Sequence, residues 1–81
     1  MSLGLDHIQL AIPPGSEAEC RAFWVGILDC AELAKPDALK ARGGLWLQAD
    51  GIEIHLGVQT PFIPAKKAHP AFIVIDIDAL S

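Results

Sequence analysis

Leu45-Trp46-Leu47-Gln48-Ala49-Asp50-Gly51-Ile52-Glu53-Ile54-His55-Leu56-Gly57-Val58 is the stretch whose reading decides the fold. Two strand-like runs flank Asp50-Gly51. Asp-Gly between such runs is a strong two-residue hairpin signal, because both turn positions need positive φ. The turn fixes the register. Ala49 faces Ile52, Gln48 faces Glu53, Leu47 faces Ile54, Trp46 faces His55, and Leu45 faces Leu56. Leu45, Leu47, Ile54 and Leu56 then share a purely apolar face, which should lie on a helix. Trp46, Gln48, Glu53 and His55 share the other. That second face is not an ordinary solvent face, since it sets a tryptophan opposite a histidine, next to an acid.

Upstream, Leu5 to Ile12 alternates as a strand, with Ile8, Leu10 and Ile12 on one face and His7, Gln9 and Ala11 on the other. Pro13-Pro14-Gly15 ends it. Ser16 begins a helix, and Glu19 completes a Ser-x-x-Glu capping box. Cys20, Phe23, Trp24, Ile27 and Leu28 form one apolar stripe at helical spacing, weakened mildly by Gly26. Cys30 to Ala34 reads as a short second strand, and Pro36 to Arg42 as a loop with room for a helical turn. Downstream of the hairpin, Gln59 to Lys67 is a loop carrying Pro61 and Pro64. His69 to Asp76 reads as a fifth strand, and Asp78 as the N-cap of a further helix.

The two ends of this pattern repeat. His7 opens His7-Ile8-Gln9-Leu10-Ala11-Ile12, and His69 opens His69-Pro70-Ala71-Phe72-Ile73-Val74, offset by 62 residues. Leu10 matches Phe72, Ile12 matches Val74, and Ser16 matches Asp78. Internal duplication of this kind marks a repeat architecture. The expectation is an α+β fold: a βαβββ module with its following loop over residues 1–67, then the start of a second, incomplete module over residues 68–81. The chain reads as one and a quarter repeats, truncated at its C-terminal end.

Composition narrows the classes. Of 81 residues, 52% are hydrophobic and 20% charged, too apolar a balance for disorder. No apolar run approaches the roughly 20 residues that span a bilayer, and the N-terminus lacks a basic-then-apolar leader, so no membrane partner is expected. The net charge of −4 and the dispersal of six basic residues argue against a nucleic-acid partner; Lys66-Lys67 is a solvated pair. Cys20 and Cys30 fit neither a zinc spacing nor a disulfide framework. A reducing, cytoplasmic compartment suits them.

The ordered set of motifs resembles the vicinal oxygen chelate superfamily, which includes glyoxalase I, bleomycin-resistance proteins, fosfomycin-resistance proteins and extradiol dioxygenases. The matching stretches are Leu5-Asp6-His7-Ile8-Gln9-Leu10-Ala11-Ile12, Ala22-Phe23-Trp24-Val25-Gly26-Ile27-Leu28, Arg42-Gly43-Gly44-Leu45-Trp46-Leu47, Ile54-His55-Leu56-Gly57-Val58 and Ala65-Lys66-Lys67-Ala68-His69-Pro70-Ala71-Phe72. The nearest subgroup is the small bacterial glyoxalase-like proteins. The resemblance implies paired βαβββ modules around a metal cup, with the first and fourth strands of each module side by side. It places family metal ligands at His7, His55 and His69, with a fourth beyond Ser81. Leu28-Asp29 departs from the family's Leu-Gly after the helix, which bears on the helix end.

Three imidazoles suit a divalent transition metal such as zinc, iron, nickel or manganese. An open metal site polarises adjacent substrate oxygens. Each residue also has a plainer reading. His7 and His69 are each compatible with solvated surface histidines, but their registration favours a ligand pair. Glu53 shares a face with His55, so either could ligate; the family match favours His55 and leaves Glu53 as a candidate catalytic base. Trp46 is either half-buried core or the apolar wall of a substrate cup, with Gln9 and Gln48 as polar substrate contacts. Arg42 and Lys67 suit an anionic substrate or simple solvation.

Two functions follow, along with a third, inactive possibility. The first is a metal-dependent glyoxalase-like lyase or isomerase, or a ring-opening dioxygenase, acting on a small molecule with vicinal oxygens. The second is a metal-free drug-binding module like the bleomycin-resistance proteins. The third is an inactive truncated fragment. Whether the chain is an enzyme stays open at this point. An unpaired strand edge invites pairing with another chain, so a homo-oligomer such as a homodimer is expected, with strand exchange as one route to it.

Overall fold

The computed structural model describes residues 2–74. Four strands form one sheet: β1 (Ile8–Ile12), β2 (Ala31–Leu33), β3 (Leu45–Ala49) and β4 (Ile52–Val58), in the order β1-β4-β3-β2. Helix α1 (Glu17–Arg21) follows β1 and runs directly into a π-helical segment, Ala22–Ile27; a single turn, α2 (Asp37–Lys40), precedes β3. This is the βαβββ module. β1 pairs in parallel with β4, and the remaining pairs are antiparallel. A parallel pair needs a long crossover, here supplied by the helix, β2 and β3.

The hairpin has the register its turn dictates. Leu45 pairs Leu56, Trp46 pairs His55, Leu47 pairs Ile54, Gln48 pairs Glu53, and Ala49 pairs Ile52. Asp50 and Gly51 have φ of 49° and 80°. Leu45, Leu47, Ile54 and Leu56 are at most 2% exposed, and among the described residues only Ile12 and Cys30 join them as buried apolar residues. The core is therefore one sheet face, which Leu10, Cys20, Trp24, Val25 and Leu28 cover. Burial of each such aliphatic side chain contributes roughly 1.5–3 kcal/mol.

The first half of the chain departs from its pattern at several points. β1 begins at Ile8 rather than Leu5. The capping box at Ser16 and Glu19 does not form: no side chain caps α1, and the Ser16 hydroxyl donates to the Pro13 carbonyl at 2.7 Å. The apolar stripe also splits. Leu28 N–H donates to the Phe23 carbonyl at 3.0 Å, five residues back, and this wider winding shifts the inward face. Trp24, Val25 and Leu28 pack on the core, whereas Phe23 and Ile27 are 47% and 46% exposed. The segment ends at Asp29, whose φ is 59°. That left-handed position is where glycine is free of strain, which accounts for the Leu-Gly of the family pattern; aspartate is among the few other residues that tolerate it. β2 is shorter than expected, Ala31–Leu33.

The fifth strand is also corrected. Residues 69–74 carry no strand pairing. A strand needs a ladder, and Pro70 has no N–H to give one. Phe72 instead sets its ring edge to face against Trp24, with centroids 5.9 Å apart. Residues 75 and 76 of the expected strand, and the proposed cap Asp78, lie outside the described residues.

Gly43-Gly44 lets β3 leave α2 close against β4. Gly44 has φ +85°, and a Cβ there would stand 2.1 Å from the Leu56 carbonyl oxygen. Two side chains tie this corner. Gly44 N–H donates to Glu17 Oε2 at 3.0 Å, and the Lys35 ammonium donates to the Gly43 carbonyl. The Gly44 N–H, with help from Lys35 and Arg21, holds the Glu17 carboxyl below its ordinary range.

Candidate functional site

The sheet face turned away from the core carries the chemistry. Gln9 on β1 lies beside His55 on β4, and His55 lies beside Trp46 on β3. His55 is stacked between two rings. Its centroid is 4.1 Å from that of Trp46, with planes 6° apart, and 4.1 Å from that of His7, with planes 14° apart. The result is a three-ring stack across β3, β4 and the residue that leads into β1. Each imidazole has its own carboxylate. His55 Nε2 lies 2.7 Å from Glu53 Oε2, and His7 Nδ1 lies 2.7 Å from Asp6 Oδ2. The His55 side chain is only 12% exposed, against 36% for His7.

Of the three histidines read as metal ligands, the fold brings two together and leaves the third apart. His69 makes a 2.8 Å bond from Nδ1 to the Lys67 carbonyl. It lines a separate, mostly apolar cavity of about 440 Å³ with Ile8, Gln9, Leu10, Ala65, Ala68 and Pro70. His7 and His55 do not fit a metal as they stand. A shared ion needs lone pairs converging at about 2.0–2.1 Å from each nitrogen. Stacked imidazoles hold their in-plane lone pairs parallel, and one nitrogen of each is already engaged by a carboxylate. Among the described residues, no three His, Cys, Asp or Glu side chains converge on one point.

Beside the stack lies a cavity of about 280 Å³, bordered by Gln9, Trp46, His55, Gly57 and Val58 on the sheet and by Lys35, Leu39, Arg42 and Gly43 on the connection before β3. Gly57 leaves room that Gln9 occupies: a Cβ there would stand 2.8 Å from Gln9 Nε2. Trp46, which sequence alone leaves as core or cup wall, is half-buried and does border the cavity. Gln48 is exposed and outside it, and Glu53 is spent on His55. Arg42 borders the cavity and Lys67 does not. Sequence reading missed Lys35. Its one signal is adjacency to Pro36 and the glycine pair, which mark a connection that folds back over the sheet. The cysteines are free, and burial, with Asp29 and Asp50, raises the Cys30 thiol pKa.

A βαβββ module with its first and fourth strands side by side is the fold that the sequence resemblance implies. No family model matches the chain, and no curated protein matches it. Among solved structures, it is similar to the crystal structure of a protein from Bacillus anthracis assigned to the glyoxalase family, at 48% identity and a TM-score of 0.85. The match covers 99% of this chain and 66% of that one, just under two thirds. Sequence and fold together are those of the vicinal oxygen chelate superfamily, with a glyoxalase-family protein as solved neighbour. No helix among the described residues is long and apolar enough to cross a membrane.

Proposed function

We propose that the chain is a small-molecule-binding module of the glyoxalase type, with its ligand in the cavity beside Trp46, His55 and Gln9. The observation that carries this reading is the three-ring stack at the edge of a 280 Å³ space. Ligand sites are concave and combine apolar surface with placed polar groups; here the polar share of the lining is the larger. Trp46 and Leu39 give the apolar surface. The Gln9 amide, the His55 ring and the Arg42 and Lys35 cations give the polar one.

Metal-dependent lyase, isomerase or dioxygenase chemistry is the second reading, and its support is the glyoxalase-family assignment of the solved neighbour rather than the donor geometry. His7, directly before β1, and His55 on β4 lie within one ring stack, and Glu53 is engaged by His55. His7 and His55 would hold the ion after unstacking, which sacrifices both ring contacts. His69 would join only by giving up the Lys67 carbonyl.

Elemental analysis of the chain, purified without chelator or metal-affinity resin, separates the two. Under the first reading the folded protein carries well under one metal per chain, and ligand binding survives chelator. Under the second it carries about one metal per site, lost in His7→Ala. Cytoplasmic residence and self-association belong to the same proposal; the open edge of β1 and the exposed Phe23 and Ile27 support a homo-oligomer.

A further inference from the structure

We propose that the cavity beside Trp46 takes a small aromatic carboxylate, its ring against Trp46 and Leu39 and its charge at the Arg42 and Lys35 rim. The inference rests on the small-molecule reading above and names the ligand class. The chain is acidic, with ten Asp and Glu against six Lys and Arg, yet two of the six cations border this one space. No carboxylate borders it among the described residues. Two nearby acids are already engaged: Glu17 accepts the Gly44 N–H, and Glu53 pairs with His55.

The donors are suited to an anion. Arg42 forms no ion pair with another described residue, so its planar fork is free for a carboxylate. Lys35 is anchored to the Gly43 carbonyl, which fixes a positive charge at the rim and leaves further ammonium hydrogens. The Gln9 amide nitrogen, over Gly57, adds a neutral donor. At about 280 Å³ the space is at the small end for ligand sites. A single ring with one charged group suits it better than an extended molecule.

The test is titration of the 81-residue chain with benzoate, with uncharged benzamide and with inorganic phosphate, following the Trp46 indole N–H resonance. That resonance is distinguished from Trp24 by Trp46→Phe. Benzoate should shift it at least about tenfold more tightly than either control, a difference of one charge-assisted contact. Arg42→Gln should remove the preference for benzoate over benzamide while leaving the fold intact, since Arg42 is exposed. Equal binding of benzoate and benzamide, or an unchanged preference in Arg42→Gln, overturns the charge assignment and leaves the cavity as a ligand site. Phosphate binding as tight as benzoate overturns the role of the aromatic body. Failure of all three to shift Trp46 in a folded sample overturns the cavity as a binding site, and the small-molecule reading with it.

Discussion

The hairpin β3–β4 and the helical stretch from Ser16 to Leu28 carry similar numbers of apolar residues, but only one of them is anchored. The hairpin supplies four of the six buried apolar side chains among the described residues. The helical stretch supplies none. In the hairpin, register follows from two positive-φ residues and a ladder in which a slip of one residue would turn every leucine outward. The helix meets the core only through half-buried groups. Its winding can therefore change to the π form without exposing a buried side chain. Strictly local determinants fix geometry where both neighbours and burial agree, and leave it adjustable where burial is partial.

The largest effect should come from the centre of the anchored half. Leu47 is fully buried, so Leu47→Ala removes transfer energy and leaves a cavity, lowering stability by about 3–4 kcal/mol. Urea unfolding followed by circular dichroism would measure it. A loss under about 1 kcal/mol would mean that the sheet face is not the core. Gly44→Ala comes next. A Cβ at φ +85° meets a backbone oxygen on β4, which no rotamer change relieves. A cost of about 2–3 kcal/mol is expected from strain and displacement together. Gly51→Ala has open space around it and should cost only the left-handed backbone term, about 1 kcal/mol.

The helical half is tested by a pair. If the winding is π, Trp24→Ala should cost about 2–3 kcal/mol and Phe23→Ala under about 1. Regular α-winding, with both residues in one inward stripe, would make the two losses comparable. Asp29→Gly probes the end of the same element. Relief of the left-handed aspartate at φ 59° should stabilise the chain by about 0.5–1 kcal/mol, read as a higher urea midpoint.

How much was legible in the sequence follows the same division. Asp50-Gly51 placed every cross-strand pair of β3 and β4 and both faces of the hairpin, because turn chemistry and alternation agree there. The ordered set of motifs carried the family resemblance, and His7 and His55 do meet. Their stacking was not legible, since ring orientation depends on Asp6, Glu53 and Trp46 acting together. His69 was placed by analogy with His7, and the analogy assumed a strand that residues 69–74 do not form. Phe23 and Ile27 were assigned inward because a period of 3.6 was applied to a segment that winds more widely. Lys35 and the glycine pair owe their place to a corner between three elements, which no single periodicity describes.

That corner gives the smallest prediction and joins the two halves, since Glu17 on the helix holds the start of β3. The folded-state pKa of Glu17 lies below its unfolded value, chiefly through the Gly44 N–H. Its contribution to stability is thus fully present above the unfolded value and is lost as pH falls through the lowered folded one. Glu32 behaves alike through Arg21, which approaches it at 2.7 Å. Both carboxylates are partly solvated, so water and salt reduce their effect. Glu17→Gln should cost under about 1 kcal/mol at neutral pH, and the deficit should disappear in acid, on the low side of the carboxylate range. Stability of the wild-type chain and Glu17→Gln, measured against pH in urea, gives two curves that converge only there. Parallel curves would mean that the glycine corner is held by backbone geometry and Lys35 alone, and that the helix is fastened to the hairpin solely through Trp24 and its neighbours.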